Sequence, residues 1–144
     1  MSEERGSERL IPWPTALTGL EHVYVHELLD DAQGNLRVRF SHSRSEQEGL
    51  IEIIWRVGDV VAYANRDEGY QVALHKAAGG HSIPQHTFMV ENSGWIAWLW
   101  SREPHMQDVF PDAVHYVIFT PDDVVEVLAQ APPQFLELPP EDQE

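Results

Sequence analysis

Residues 113–131 read AVHYVIFTPDDVVEVLAQA, and several independent sequence rules agree in this stretch. Residues 113–119 are β-branched or aromatic with almost no polar interruption, which is typical of a strand buried on both faces. Thr120 then offers a side-chain oxygen as N-cap, Pro121 suits the first helical position, and two aspartates follow in the first turn. The stretch therefore predicts a strand that runs directly into a helix, which Pro132 ends.

The predicted helix also rests on apolar spacing, because Val124, Val127, Leu128 and Ala131 recur as one helical face would. Upstream, period-two alternation and apolar runs predict strands, and two further helical patterns are short. The predicted strands cover 21–29, 36–42, 50–57, 60–64 and 85–91, and the predicted short helices cover 70–78 and 93–100.

Turn composition predicts that consecutive strands pair with each other. Residues 30–35, which contain Gly34, separate the first two strands, and Gly58-Asp59 has the composition of a tight two-residue hairpin turn. The predicted fold class is thus α+β, with a single antiparallel sheet of about five to six strands and two or three short helices packed on one face. The predicted divisions are an extended arm (1–20), one α+β domain (21–138) and an acidic disordered tail (139–144).

The charge balance is the compositional outlier of this 144-residue chain. It has 24 acidic against 9 basic side chains, a net charge of −15, and no Lys or Arg follows Arg102. Such a field repels nucleic acid and steers a basic protein towards the chain, and the other interpretation is that the acidity serves solubility alone. Cysteine is absent, so disulfides and thiolate sites are excluded. No apolar run has the length of a signal peptide or membrane span, so we expect a cytoplasmic protein without a membrane partner.

Tryptophans close together in the sequence are the first candidates for a binding surface. Three of them in 95–100 cannot all point the same way on a helix, so at least one should be partly exposed, although covering the sheet as core is the other interpretation. With nearby acids they make the predicted partner-binding set: Trp95, Trp98, Trp100, Asp108, Asp112, Asp67 and Glu68.

Histidines raise a second hypothesis, a small metal-dependent enzyme or ligand-binding domain. His81, His86 and Glu91 could supply two imidazoles and a carboxylate to zinc or iron, and the alternative is that they are hydrogen-bonded or exposed loop and strand residues. His115 lies within a buried strand, where a satisfied core residue is favoured over a base. Helix capping accounts for the two aspartates beside Glu126 without magnesium. No cofactor is therefore predicted.

Several short motifs carry a resemblance to a known type of protein. They are VVAY (60–63), DEG (67–69), VENS (90–93), HY (115–116) and TPDDV (120–124). In this succession the chain resembles, over 21–136, small uncharacterised bacterial α+β proteins of the type found as immunity proteins beside polymorphic toxins. The resemblance implies a non-enzymatic, cytoplasmic bacterial protein. Combined with the acidity, it predicts an immunity protein that occludes the cleft of a basic toxin such as a nuclease.

Overall fold

The computed structural model describes residues 8–20, 22–42, 49–67 and 86–139. Within these ranges the chain forms nine strands and two helices. In chain order they are β1 (Arg9–Pro12), β2 (Tyr24–Asp30), β3 (Leu36–Ser41), β4 (Leu50–Trp55), β5 (Val60–Asp67), β6 (Thr87–Glu91), α1 (Gly94–Arg102), α2 (Pro104–Val109), β7 (Val114–Phe119), β8 (Asp123–Ala129) and β9 (Gln134–Leu138).

The strands form two antiparallel sheets rather than one. The five-stranded sheet has the order β1-β6-β7-β8-β5, and the four-stranded sheet has the order β2-β3-β4-β9. The predicted single sheet with helices packed on one face is therefore wrong. The predicted strand positions are largely correct, as is the predicted helix at 93–100.

The main error lies in the stretch 113–131, which forms a hairpin of β7 and β8. Thr120 does act as a cap, but of a β-turn: its Oγ1 accepts the Asp123 N–H at 3.0 Å, and its own N–H donates to the Asp123 carbonyl at 2.9 Å. Pro121 and an aspartate suit such a turn as well as they suit a helix start. Residues 124–129 are then buried without a break, as in a strand covered on both faces.

A second error concerns the turn at Gly58, where φ is +86°. The turn exists, with the Asp59 N–H donating to the Arg56 carbonyl at 3.0 Å. The strands on its two sides do not pair, however, because β4 pairs with β3 and β9 while β5 pairs with β8. The predicted hairpin is instead a corner that carries the chain from the four-stranded sheet into the five-stranded one.

The two sheets share one apolar core. Phe40, Ile53 and Trp55 of the four-stranded sheet lie in the same buried cluster as Ile118 and Val127 of the five-stranded sheet. A smaller buried cluster lies on the opposite face of the five-stranded sheet and includes side chains of β1, β6, β7 and β8. The β7–β8 hairpin therefore contributes to both clusters.

A strand near each end of the described chain completes one of the sheets, β1 the five-stranded sheet and β9 the four-stranded sheet. β1 pairs with β6, and the Trp13 ring that follows it lies 4.7 Å from the Tyr116 ring, centroid to centroid. β9 pairs with β4. The predicted helix at 70–78 and most of the predicted tail, 140–144, lie outside the described residues. Neither described helix is long and apolar enough to cross a membrane.

Ion pairs cover the outer face of the four-stranded sheet. Glu52 is 1% exposed and accepts from Arg39 Nε at 2.7 Å and from Arg37 Nη1 at 3.2 Å. Arg37 Nε also donates to Asp31, and this bond, with the backbone N–H of Asn35, lowers the pKa of Asp31 to about 2. The alternation of Arg with apolar residues along β3 thus places charge on this face and hydrophobic side chains in the core.

The hairpin and the helix make opposite predictions for Val125. In the hairpin this side chain is fully buried in the shared core, whereas the helical face predicted from the sequence leaves it outside. We expect Val125→Asp to lower the free energy of unfolding by about 4 kcal/mol or more, because a charge would be buried without a partner. Urea unfolding followed by tryptophan fluorescence measures it.

Val57→Asp is the matched control, since Val57 is 61% exposed. Its effect should stay within about 0.5 kcal/mol. Equal stability of the two variants would contradict the hairpin.

Candidate functional site

The connection between β6 and β7 holds both described helices and begins at Ser93. Asn92 turns the chain with φ +58°, and Ser93 is the N-cap of α1. The Ser93 Oγ accepts the Ile96 N–H at 3.1 Å, which satisfies one of the unpaired donors at the start of the helix. Ser93 is only partly buried. The serine hydroxyl is thereby fixed where a strand turns into a helix.

The same hydroxyl contacts a buried histidine. His115 is the second residue of β7, and its Nδ1 lies 2.7 Å from Ser93 Oγ. Its backbone is paired with Val90 of β6, three residues before the serine. Pairing between β6 and β7 therefore brings the turn at Ser93 over the imidazole.

The other imidazole nitrogen contacts a buried glutamate. His115 lies opposite Leu128 in the register of β7 and β8, so Glu126 is its diagonal neighbour on the same face of the sheet. His115 Nε2 is 2.8 Å from Glu126 Oε1, and both residues are 2% exposed. Because this contact depends on the strand register, it does not exist in the helix predicted from the sequence.

Two further side chains surround the histidine and the glutamate. The Arg66 guanidinium of β5 lies 3.0 Å from Glu126 Oε2, as an ion pair outside hydrogen-bonding geometry. The Arg66 guanidinium thus places a positive charge beside the buried Glu126 carboxylate. The Trp95 ring meets the His115 ring at 79°, with 5.4 Å between centroids. We call Ser93, His115, Glu126 and Arg66 the polar chain.

With the imidazole neutral, one arrangement of protons satisfies every contact in the polar chain. Glu126, as a carboxylate beside Arg66, only accepts, so His115 Nε2 must carry a hydrogen. In neutral imidazole Nδ1 then has a lone pair, and it accepts the Ser93 hydroxyl hydrogen. The lone pairs of Ser93 Oγ remain available to the Ile96 N–H. This assignment follows from the hydrogen-bonding capacity of the four groups.

The expectation for His115, a satisfied core residue, is confirmed. Its two partners are not predicted from the sequence, however, because Glu126 falls within the predicted helix that follows Thr120 and Ser93 falls at the start of the predicted helix at 93–100. A histidine and a glutamate inside one long apolar run were the available signal, since a buried polar group requires a partner.

The tryptophans point in different directions, as the sequence predicted. Trp95 covers His115, Trp100 is half-buried, and Trp98 is 55% exposed with the Arg102 guanidinium 5.4 Å from its ring centroid. Asp108 on α2 and Asp112 just after it are both exposed. Five of the predicted partner-binding residues thus lie in the single segment between β6 and β7.

Asp67, another residue of that set, is not brought to this segment. Asp67 is paired with Asp123, whereas β5 begins opposite Ala129, beside the end of the sheet from which α1 departs. Seven residues of strand separate the two ends, or roughly 20 Å. Glu68 lies outside the described residues. Asp67 is therefore remote from the helices.

The structure does not assemble the predicted metal ligands within the part of the chain that it describes. His81 lies outside that part. His86 is buried, with its Nε2 2.7 Å from the Leu20 carbonyl oxygen, and Glu91 is exposed and pairs with Arg9. Across residues 8–20, 22–42, 49–67 and 86–139, no three His, Cys, Asp or Glu side chains are grouped to hold a metal ion.

Comparison with known proteins gives no relative from which a function could be carried over. No family model, no curated protein and no solved structure matches the chain. The resemblance to immunity proteins therefore stays a prediction.

Removal of Glu126 tests the polar chain as part of the fold. Glu126→Ala leaves the buried Nε2–H of His115 without an acceptor, so we expect the free energy of unfolding to fall by about 3 kcal/mol. Glu137→Ala, in an exposed position of β9, is the control and should change it by about 0.5 kcal/mol or less. Urea unfolding of both variants measures this, and equal stabilities would show that the histidine needs no carboxylate.

Proposed function

We propose that the chain is an acidic protein-binding module that docks onto a basic partner protein through the segment formed by α1 and α2. The carrying observation is that neither helix contains a fully buried residue, although they hold many large apolar side chains. These are Trp95, Ile96, Trp98, Leu99, Trp100, Met106 and Val109. Trp98 and Val109 are exposed and the other five are partly exposed, and apolar surface left open to solvent in this way is typical of interaction sites.

Trp98 would be the anchor of the interface. It is the most exposed tryptophan of the described chain, and Val109 on α2 is 57% exposed. A tryptophan that becomes buried on binding removes a large area from water, and tryptophan is enriched among residues that dominate binding energy. Arg102 lies against the ring, so a partner would have to displace it or pack beside it.

The negative charge of this segment and of the whole chain indicates which class of partner protein would bind. Glu103, Asp108 and Asp112 are exposed around the apolar side chains, and no Lys or Arg follows Arg102. A polar rim around an apolar centre is the usual anatomy of an interface. Here the rim is acidic and the whole chain carries −15, so a surface rich in Lys and Arg is complementary to it.

The most specific form of the proposal is neutralisation of a basic toxin, such as a nuclease. Carboxylates of the rim would take the places of phosphates in a cationic cleft, and Trp98 would anchor the contact. A cytoplasmic location belongs to this proposal. The proposal that the partner is a toxin rests on the resemblance described from the sequence together with the acidic rim. The broader proposal, that the chain binds a basic protein, rests on the two helices alone.

The test is a toxicity rescue followed by binding. The neighbouring reading frame of the source genome is expressed in a bacterial host with and without this chain. The proposal predicts that the neighbour kills alone and is neutralised by a stoichiometric complex. A harmless neighbour that forms no complex would contradict the toxin form.

In that complex, Trp98→Ala should weaken binding by about 30-fold or more, as expected for an anchoring residue. Tyr24→Ala removes a side chain that is 39% exposed on the four-stranded sheet, and it should leave affinity unchanged.

Asp108→Asn with Asp112→Asn should slow association and reduce its salt dependence. Calorimetry and stopped-flow measurements check these outcomes, and salt-independent association would contradict the electrostatic part.

A further inference from the structure

The polar chain has the order of groups that activates a serine: hydroxyl, imidazole and carboxylate, with successive contacts of 2.7 and 2.8 Å. We infer that Ser93 is the nucleophile of an acyl-transfer site for carboxylic esters, with His115 as general base and Glu126 as the residue that positions it. This activity does not depend on the proposed protein binding.

Burial is distributed as such a site requires. His115 and Glu126 are shielded from water at 2% exposure, while Ser93 lies at the partly open turn above them. The carboxylate and the imidazole therefore interact in a low-dielectric environment, where their mutual orientation is strongly held. Of the hydroxyl, the imidazole and the carboxylate, the hydroxyl is the group nearest to solvent.

The backbone next to Ser93 offers a donor for the oxyanion of the reaction. Gly94 directly follows the serine at the start of α1, and its N–H donates to Glu8 Oε2 at 2.6 Å. The N–H of the residue after a nucleophilic serine is a common oxyanion donor. Glu8 thus places a negatively charged oxygen on a donor that an ester carbonyl oxygen would use, so it competes with a substrate.

The reaction balances with an ester and water as the only co-reactants. Ser93 Oγ bonds to the ester carbonyl carbon while its proton passes to His115 Nδ1. The bond to the leaving alkoxide breaks, and the alkoxide takes that proton and departs as an alcohol. Water then attacks the acyl carbon and gives a proton to Nδ1, the bond from that carbon to Ser93 Oγ breaks, Oγ takes the proton back from Nδ1, and the carboxylic acid is released. Glu126 accepts the Nε2–H throughout and faces the imidazolium when it forms.

The two imidazole nitrogens are interchanged relative to the usual Ser-His-Asp arrangement, in which serine contacts Nε2 and the carboxylate contacts Nδ1. Either nitrogen is a competent base once the other is protonated and held. In this fold the choice is set by the strand register, because Glu126 on β8 and Ser93 beyond β6 approach His115 from opposite sides.

The test uses the full chain and diisopropyl fluorophosphate, a probe that phosphorylates activated serines. The inference predicts a single adduct, located at Ser93 by peptide mapping, with a rate that falls by about 100-fold or more in His115→Asn. Ser93→Asn should give no adduct, and asparagine keeps the N-cap so that α1 stays intact. Circular dichroism and thermal unfolding establish that each variant is folded.

Variants at two positions separate chemistry from structure. Glu8→Ala leaves the polar chain untouched and should label several-fold faster, because it frees the Gly94 N–H. Glu126→Gln should slow labelling while the protein stays folded, and Glu126→Asp, which restores a carboxylate, should recover part of the rate. A positioning role predicts that rescue, whereas a purely structural role predicts labelling that follows stability alone.

The overturning results are equally direct. Folded wild-type protein and Glu8→Ala that both remain unlabelled at Ser93 would refute the site, as would labelling spread over other hydroxyls. A labelling rate that folded His115→Asn leaves unchanged would refute the general base.

Discussion

The antiparallel pairing of β7 with β8 is the interaction on which the rest of the structure depends. These strands are the third and fourth of the five-stranded sheet, and each contributes side chains to both buried clusters. Their inner face closes the core against the four-stranded sheet. Their outer face carries His115 and Glu126 at 2% exposure, where a polar group without a partner would cost several kcal/mol. The register that fills the core is thus the register that satisfies the buried polar side chains.

The sequence predicted most elements but not how they pair. Strand residues and α1 are recognisable locally, because alternation along β3 and the Ser93 cap are short-range signals. Residues 124–129 were misread because a continuous apolar run fits helical spacing and a doubly buried strand equally well. The cap at Thr120 did not resolve the ambiguity, since a helix start and a β-turn use the same side-chain chemistry.

The pairing of the strands could not be predicted from the sequence, for a different reason. The corner at Gly58 has hairpin composition, yet β4 pairs with β9 and β5 with β8, partners distant in sequence. The His115–Glu126 contact of the polar chain was missed because it forms across the β7–β8 hairpin between diagonal neighbours, whereas the sequence predicted a helix for the second of these strands. The tryptophan segment, in contrast, was accessible to sequence reasoning because its residues lie on one short helix.

Binding and chemistry are proposed for neighbouring parts of one segment. α1 begins at Ser93 and carries Trp98 on its second turn, so a partner seated on the tryptophan would lie close to the serine and to Glu8, which caps the Gly94 N–H. In the proposed complex the acidic rim would select the partner, whereas the polar chain depends on the pairing of the sheet strands. The two roles are physically separable because one uses exposed side chains and the other uses buried ones.

The tautomer of His115 tests the account most directly, because the β7–β8 register brings Glu126 to Nε2 while the pairing of β6 with β7 brings Ser93 to Nδ1. Long-range ¹H–¹⁵N correlation spectra of the full chain, recorded well above the pH at which histidine ordinarily titrates, report it, with His115→Asn providing the assignment. The account predicts a neutral ring protonated at Nε2, with that proton shifted downfield by the carboxylate. A ring protonated at Nδ1, or a proton exchanging freely with water, would contradict it.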